Sequence, residues 1–203
     1  MYANVESRDK LSVQIAGGKN LHFESCPIKG PGTFEVTSGG WLNLTSSDLA
    51  CTDADFVIHC ALNIGKTIDV HDYRARYNYD ANTWGEAAAL NVHGTFTPET
   101  DYFTAATLMD GATLDLSEKT GVWFTTSLFT NGNTLSFAAG TIYVDLGERE
   151  MDYGNGYLAK VVSWTAQPAN VKFVATDPQR YRLAARSDGL YCLKKLGTII
   201  IVK

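Results

Sequence analysis

Three acids stand at the same place in a short recurring pattern: Glu35, Asp69 and Asp115. Each lies between two apolar residues (Phe34 and Val36, Ile68 and Val70, Leu114 and Leu116), so in an extended strand its side chain turns away from the buried face. Stacked on neighbouring strands, such carboxylates form a ladder. A pair of them can act as acid and base on a glycosidic bond, and a set can bind calcium. The plainer account is that outward positions must be polar to meet water. Asp110-Gly111 and Asp188-Gly189 are ordinary turn dipeptides, so their acids need no chemical explanation.

The segment from His71 to Trp84 is the densest concentration of binding chemistry. It carries three tyrosines, one tryptophan, two arginines and two aspartates. Aromatic faces stack on sugar rings, while arginine and aspartate orient hydroxyls and carboxylates. It interrupts the recurring pattern and is therefore expected to leave the strands as a loop, where binding tends to reside. The candidate ligand-binding residues are Tyr73, Arg74, Arg76, Tyr77, Tyr79 and Trp84, with Asp69 and Asp115 beside them. A folded insertion whose aromatics cover a flank would use the same residues.

Other signatures are missing. His22, His59, His71 and His93 fall into no HxxxH or HExxH spacing, and no CxxC pair occurs, so no metal is expected. There is no G-x-S-x-G elbow and no phosphate-binding G-x-x-x-x-G-K-[ST] loop. Gly154-Asn155-Gly156-Tyr157-Leu158-Ala159 fits the dinucleotide pattern formally. However, Glu148-Arg149-Glu150 stands where a buried strand should precede it, which makes the glycines a turn. Neither a catalytic residue nor a cofactor is expected.

The elements that hold these residues announce themselves through a repeat. Gly18-Lys19-Asn20-Leu21-His22-Phe23, Gly65-Lys66-Thr67-Ile68-Asp69-Val70, Gly111-Ala112-Thr113-Leu114-Asp115-Leu116 and Gly132-Asn133-Thr134-Leu135-Ser136-Phe137 share one form. A version one residue shorter follows Gly32, Gly94, Gly140 and Gly197, and Gly40 opens a looser copy. Each reads as a turn and then a short strand with one inward face. From Gly40 through Gly65, Gly94 and Gly111 to Gly132 the mean spacing is 23 residues. A unit of that size recurring along a chain predicts a parallel β-solenoid, in which each coil buries its inward face on its neighbours. The glycine pairs Gly32/Gly40 and Gly132/Gly140 fit two sides of a coil or a hairpin, the latter leaving a β-sandwich as the alternative. The one helix-like stretch, Gly85 to Leu90, is too short to stand alone. Beyond Gly147 strands are expected at 157–164, 171–175, 181–185, 190–193 and 198–202, with a hairpin at Asp188-Gly189. The chain thus divides into irregular solenoid coils over 1–147 and a C-terminal β cap over 148–203, within one domain.

With these elements in place the chain resembles the autotransporter-associated β-strand repeat proteins, large secreted or surface proteins of bacteria. The residues that carry the resemblance are Gly94-Thr95-Phe96-Thr97-Pro98 through Tyr102-Phe103, then Leu108 to Ser117 and Gly140 to Gly147. Val162-Ser163-Trp164 followed by Asp188-Gly189-Leu190-Tyr191 completes them. It extends over roughly residues 30–203. It implies a right-handed β-helix, export to the cell surface or beyond, and no assigned catalytic residues. Four cysteines and the insertion between Val70 and Gly85 depart from that family's pattern, and no membrane anchor or translocator is evident.

Charge and composition narrow the partners. Lys plus Arg number 17 against 22 Asp plus Glu, a net charge of -5, which lacks the basic footprint of a nucleic-acid binder. No stretch approaches the roughly 18 apolar residues of a membrane span. The N-terminal residues carry charges where a signal peptide needs an apolar run, and the chain reads as cut from something longer. Cys26, Cys51, Cys60 and Cys192 are either buried free thiols or, in an oxidising compartment, one of three pairings of which Cys51 with Cys60 is the most local. The expectation is an all-β, right-handed parallel β-helix with a C-terminal β cap. Its role would be that of a non-catalytic extracellular or cell-surface structural or adhesion module of a bacterium, with glycans or host surface proteins as partners. The alternative is a carbohydrate-binding or polysaccharide-cleaving β-helix that uses the 71–84 loop.

Overall fold

The computed structural model describes residues 5–6, 10–14, 20–22, 28–29, 33–37, 41–44, 49–58, 61–64, 67–75, 90–98, 105–118, 123–124 and 135–195. Along them the chain is all-β, with twenty strands and no helix. The first nine are β1 (Val5–Glu6), β2 (Lys10–Gln14), β3 (Asn20–His22), β4 (Ile28–Lys29), β5 (Thr33–Thr37), β6 (Trp41–Leu44), β7 (Leu49–Ile58), β8 (Ala61–Ile64) and β9 (Ile68–Ala75). Then come β10 (Leu90–Val92), β11 (Thr95–Pro98), β12 (Ala106–Leu108), β13 (Thr113–Asp115), β14 (Trp123–Phe124), β15 (Leu135–Phe137) and β16 (Gly140–Asp145). The last four are β17 (Leu158–Ser163), β18 (Val171–Ala175), β19 (Arg182–Arg186) and β20 (Gly189–Leu193).

A thirteen-stranded sheet follows the path β1-β4-β7-β9-β11-β13-β16-β18, with side branches, and a three-stranded sheet runs β3-β6-β8. Every pairing in these two sheets is parallel, each strand lying beside the one from the next passage of the chain. Leu11, Phe34, Phe56, Tyr73, Phe96, Leu114, Val144 and Ala175 are successive partners in one column. Cys51, Val70, Val92, Leu108 and Phe137 are successive partners in a second. Leu21, Leu42 and Leu62 are successive partners in a third. This stacking is compatible with a β-helix.

The alternation of strand side chains explains why these columns cohere. In β10 and β12 the first and last residues are buried and the middle one is not, and in β13 only Leu114 of the three is buried. The inward set, among it Val70, Tyr73, Leu90, Val92, Phe96, Leu108, Leu114 and Val144, forms the core. Tyr73 and Phe96 stack with ring centroids 5.3 Å apart. Each such fully buried side chain contributes about 1.5–3 kcal/mol.

The glycine repeat proves to precede strands on every side of the stack, not to recur once per coil. Its copies open strands of all three columns: Gly18 and Gly40 precede β3 and β6, Gly65 and Gly132 precede β9 and β15, and Gly32, Gly94 and Gly111 precede β5, β11 and β13. Every side of a layer meets the same local problem, a turn followed by a strand with one inward face, so the same tripeptide logic recurs at each. The copy at Gly197 lies outside the described residues, as do Gly18, Gly32, Gly40, Gly65 and Gly132 themselves. Gly32/Gly40 and Gly132/Gly140 are not hairpins, since β5 and β6 belong to different sheets and β15 and β16 pair with β12 and with β13 and β18.

Two corners show why the short copies open on glycine. The N–H of Thr95 donates to Asp72 Oδ1 of the preceding layer, and the N–H of Thr141 donates to Asp110 Oδ1 at 2.7 Å. A Cβ on Gly94 would run into that Asp72 carboxylate, and one on Gly140 would run into Asp110. Glycine is the residue that lets the carboxylate of one layer reach the backbone of the next.

Past Gly147 the parallel stacking continues, because β18 pairs with β16 over five residues from Gly140–Val171 to Val144–Ala175. Beside it lies the four-stranded sheet β14-β17-β20-β19, in which β20 runs antiparallel to both neighbours. The expected hairpin is present: Arg186 pairs with Gly189 across Ser187 and Asp188. The two parts share one core. Trp164 stacks on Phe173 at 5.6 Å, Phe173 meets the edge of Phe137 at 5.1 Å, and the Trp164 indole N–H donates to the Arg186 carbonyl. Strands observed at 158–163, 171–175, 182–186 and 189–193 lie within a residue of the expected ones or extend them slightly, and 198–202 is outside the described residues.

Gly94→Ala is expected to cost about 1–3 kcal/mol in urea unfolding, the range of an overpacked site. In an Asp72→Ala background the same change should cost less, because of the two side chains the methyl group would meet, the Asp72 carboxylate and the His71 ring, only the ring remains. Additive losses in that double-mutant cycle would contradict the corner mechanism.

Candidate functional site

The proposed binding segment begins not as a loop but as strand: His71 to Ala75 continue β9, and the pairing of Tyr73 with Phe96 and of Arg74 with Thr97 holds them in the sheet. Alternation then decides each side chain's fate. Tyr73 is only 2% exposed and packs on Phe96, so its ring belongs to the core and is not offered to a ligand. Arg74, the next residue, is exposed on the outer face. Arg76, Tyr77, Tyr79 and Trp84 lie outside the described residues, as do Cys26 and Cys60, so the Cys51–Cys60 pairing falls there too.

Asp69 is exposed on the outer face of the second column, where its partner in register is Asn91. Asn91 Nδ2 donates to Asp69 Oδ1 at 3.1 Å, and His93 Nε2 lies 3.0 Å from the same oxygen. One step along, His71 Nδ1 is 3.1 Å from Asp72 Oδ2, whose other oxygen holds the Thr95 N–H. Two aspartates and two histidines thus share this corner. Among the described residues, however, no group of three such side chains is placed to hold a metal ion.

The outward acids do not form one ladder. Glu35 and Asp115 share a column, but β7, β9 and β11 stand between their strands, which at about 4.8 Å per strand separates them by roughly 19 Å. That is beyond the roughly 5–9.5 Å of a glycosidase carboxylate pair. Asp69 stands in the other column. Asp115 is instead the register partner of Asp145, a neighbour that the repeat pattern passed over. The shared tripeptides Asp115-Leu116-Ser117 and Asp145-Leu146-Gly147 carry the signal. Asp115 accepts from the Ser117 N–H at 3.0 Å, Ser117 Oγ at 2.6 Å and Thr97 Oγ1 at 3.1 Å. Asp145 accepts from the Gly147 N–H at 2.8 Å. These bonds are those of strand-ending Asx turns. Glu35 is engaged by Lys10 Nζ at 2.5 Å and Ser12 Oγ at 3.2 Å.

The remaining residues are structural. Cys192 is a buried free thiol beside the Tyr153 hydroxyl. Burial pushes the Tyr153 phenol well above its usual range, with the Cys192 contact adding to it. Gly154 to Gly156 form a turn, with the Gly154 N–H on Asp152 Oδ1 at 2.8 Å. Trp164 is in the core.

The cavity that does emerge was not expected from the sequence. It has a volume of about 470 Å³ and is lined by Tyr157, Arg182, Leu193, Lys194 and Lys195. Tyr157 is 65% exposed and sits at one rim, tied to the other by the Lys194 N–H, which donates to its carbonyl at 2.8 Å. Arg182 and Leu193 are register partners on β19 and β20. The five residues are spread over nearly forty positions, and only the antiparallel pairing gathers them.

No protein-family model, no curated protein and no solved structure matches this chain.

The hydrogen bond from His93 first, and that from Asn91 next, holds the Asp69 carboxyl below its ordinary range. A lowered folded-state pKa contributes stability that is present above the unfolded value near 3.9 and is lost as pH falls through the folded value. Because the side chain is 57% exposed, solvent screening limits the contribution to at most about 1 kcal/mol. Asp69→Asn is therefore expected to be slightly less stable than the parent at pH 7 and equal to it at pH 2. A gap in chemical denaturation that is the same at both pH values would contradict this.

Proposed function

We propose that the chain is a right-handed parallel β-helix closed by its C-terminal strands. In this reading it serves as a non-catalytic structural or adhesion module at the surface of a bacterium or outside it. The observation that carries the reading is the register: residue stacks such as Tyr73, Phe96, Leu114, Val144 and Ala175 continue from layer to layer without a break. Parallel strands joined by crossovers are right-handed in about 98% of cases, which supports the handedness. The resemblance to autotransporter-associated β-strand repeat proteins supports the setting. The outer acids add to this, for Asp72, Asp110, Asp115 and Asp145 all accept backbone N–H groups and are occupied in holding corners. A stack of this kind presents fixed rows of side chains and transmits force along its axis, as display and adhesion require.

Antibodies raised against the folded chain are expected to label intact cells of the encoding bacterium or to detect the protein in its culture medium. Labelling that appears only after the cells are permeabilised, with none in the medium, would sink the proposal.

A further inference from the structure

The cavity beside Tyr157 combines three features that folding does not call for. Among the described residues its lining carries three cations and no acid, in a chain whose net charge is -5. Elsewhere on the same sheet and in the turn before β19 cations are engaged. Lys160 lies 2.6 Å from Asp188 Oδ2, Arg180 donates to the Glu148 carbonyl at 2.7 Å, and Arg186 lies over the Tyr191 ring. Among the described residues neither Arg182 nor Lys195 has an ion pair or hydrogen bond of this kind, while Lys194 lies over the Tyr153 ring at 5.8 Å. Finally, Tyr157 is the most exposed large apolar side chain of the described residues, and Leu193 supplies an apolar lining next to it.

We propose that this cavity binds an acidic oligosaccharide, one whose sugar units carry carboxylate or sulfate groups. An aromatic face with an apolar neighbour packs against the C–H face of a sugar ring. A guanidinium matches carboxylate or sulfate with two parallel hydrogen bonds, and the two lysines add point charges at other positions around the opening. Cations distributed around a surface cavity suit a chain with repeated charges better than a single anion, which needs donors converging on one point. The volume is within the range that accommodates a few linked rings. This site lies on the C-terminal sheet and stands or falls independently of where the protein resides.

The test is calorimetric titration of the full chain with a galacturonic acid hexamer, a heparin-type sulfated hexasaccharide and a neutral galactose hexamer. Vesicles containing phosphatidylglycerol serve as a further probe. Saturable binding of at least one acidic hexamer is expected, at least tenfold tighter than the neutral one and weakened by salt. Tyr157→Ala or Arg182→Gln should lower that affinity at least fivefold. Both residues are exposed, and unchanged far-ultraviolet circular dichroism will show that each variant is folded. The proposal is overturned if neither acidic hexamer binds, if the neutral hexamer binds equally well, or if both variants bind as the parent does. Vesicle binding that both variants abolish, with the hexamers unbound, would assign the cavity to an anionic lipid surface instead.

Discussion

Parallel strands cannot be joined by a two-residue turn, so the chain must travel round and return beside its own earlier strand before any ladder hydrogen bond can form. Everything else in this protein depends on that return being in register. A slip by one residue would turn Tyr73, Phe96 and Leu114 outward and bring Arg74, Thr97 and Asp115 in. The corner between the two main columns guards against it twice. The backbone N–H groups of His93 and Gly94 donate to the carbonyls of Val70 and His71 at 3.0 and 2.7 Å. The Asp72 side chain then takes the N–H of Thr95 just beyond. Asp110 repeats the arrangement on Thr141, 31 residues further along the chain. A carboxylate is well chosen here, since a hydrogen bond to an ionised acceptor is stronger than one to a neutral carbonyl.

The same use of acids accounts for the chain's sparing charge. Outward positions on a stacked sheet face the like position of the next layer at under 5 Å, so an uninterrupted column of carboxylates would repel itself. The second column avoids this by placing Asn91, Thr107 and Ser136 in line with Asp69. The first places Arg74 and Thr97 ahead of Asp115. Where Asp115 and Asp145 do meet, each is drawn back to its own turn by an N–H two residues on. Outer-face acids in this molecule are therefore mostly devices of register.

The all-β class, the positions of the later strands and the hairpin were legible because they rest on local rules: alternation within a strand and turn residues between strands. The layer period was not, because the glycine pattern precedes strands on every side of the stack and its copies at Gly40, Gly65 and Gly94 open strands of three different columns. Tyr73 could not be assigned from its neighbours either. A dense run of aromatic and charged residues looks like a loop, yet period-two alternation through Val70, His71, Asp72 and Tyr73 gives way at the bend and still returns Tyr73 to the core. Gly189 misled in a smaller way. Its glycine reads as a turn residue, but it begins β20, where a Cβ would strike the Val162 carbonyl. Such close approaches are tertiary and leave no local mark.

The C-terminal sheet separates its charges along the strands. At the hairpin end, Asp188 accepts from Lys160 Nζ and from the Tyr191 hydroxyl at 2.6 and 2.7 Å. Those hydrogen bonds hold the Asp188 carboxyl below its usual range and raise the Lys160 ammonium above its own. At the other end, Arg182 opens β19 and Lys194 and Lys195 follow β20, with no acid among the described residues lining the cavity between them. Like charges so placed repel one another, and burial of Val161, Val162, Leu190 and Cys192 already holds the sheet to the core without them. Such a cost in self-repulsion, which folding does not require, supports the proposal of an oppositely charged ligand at this surface. Its position at the end of an antiparallel sheet also fits that use, since the paired strands hold the charges in place while leaving them in water.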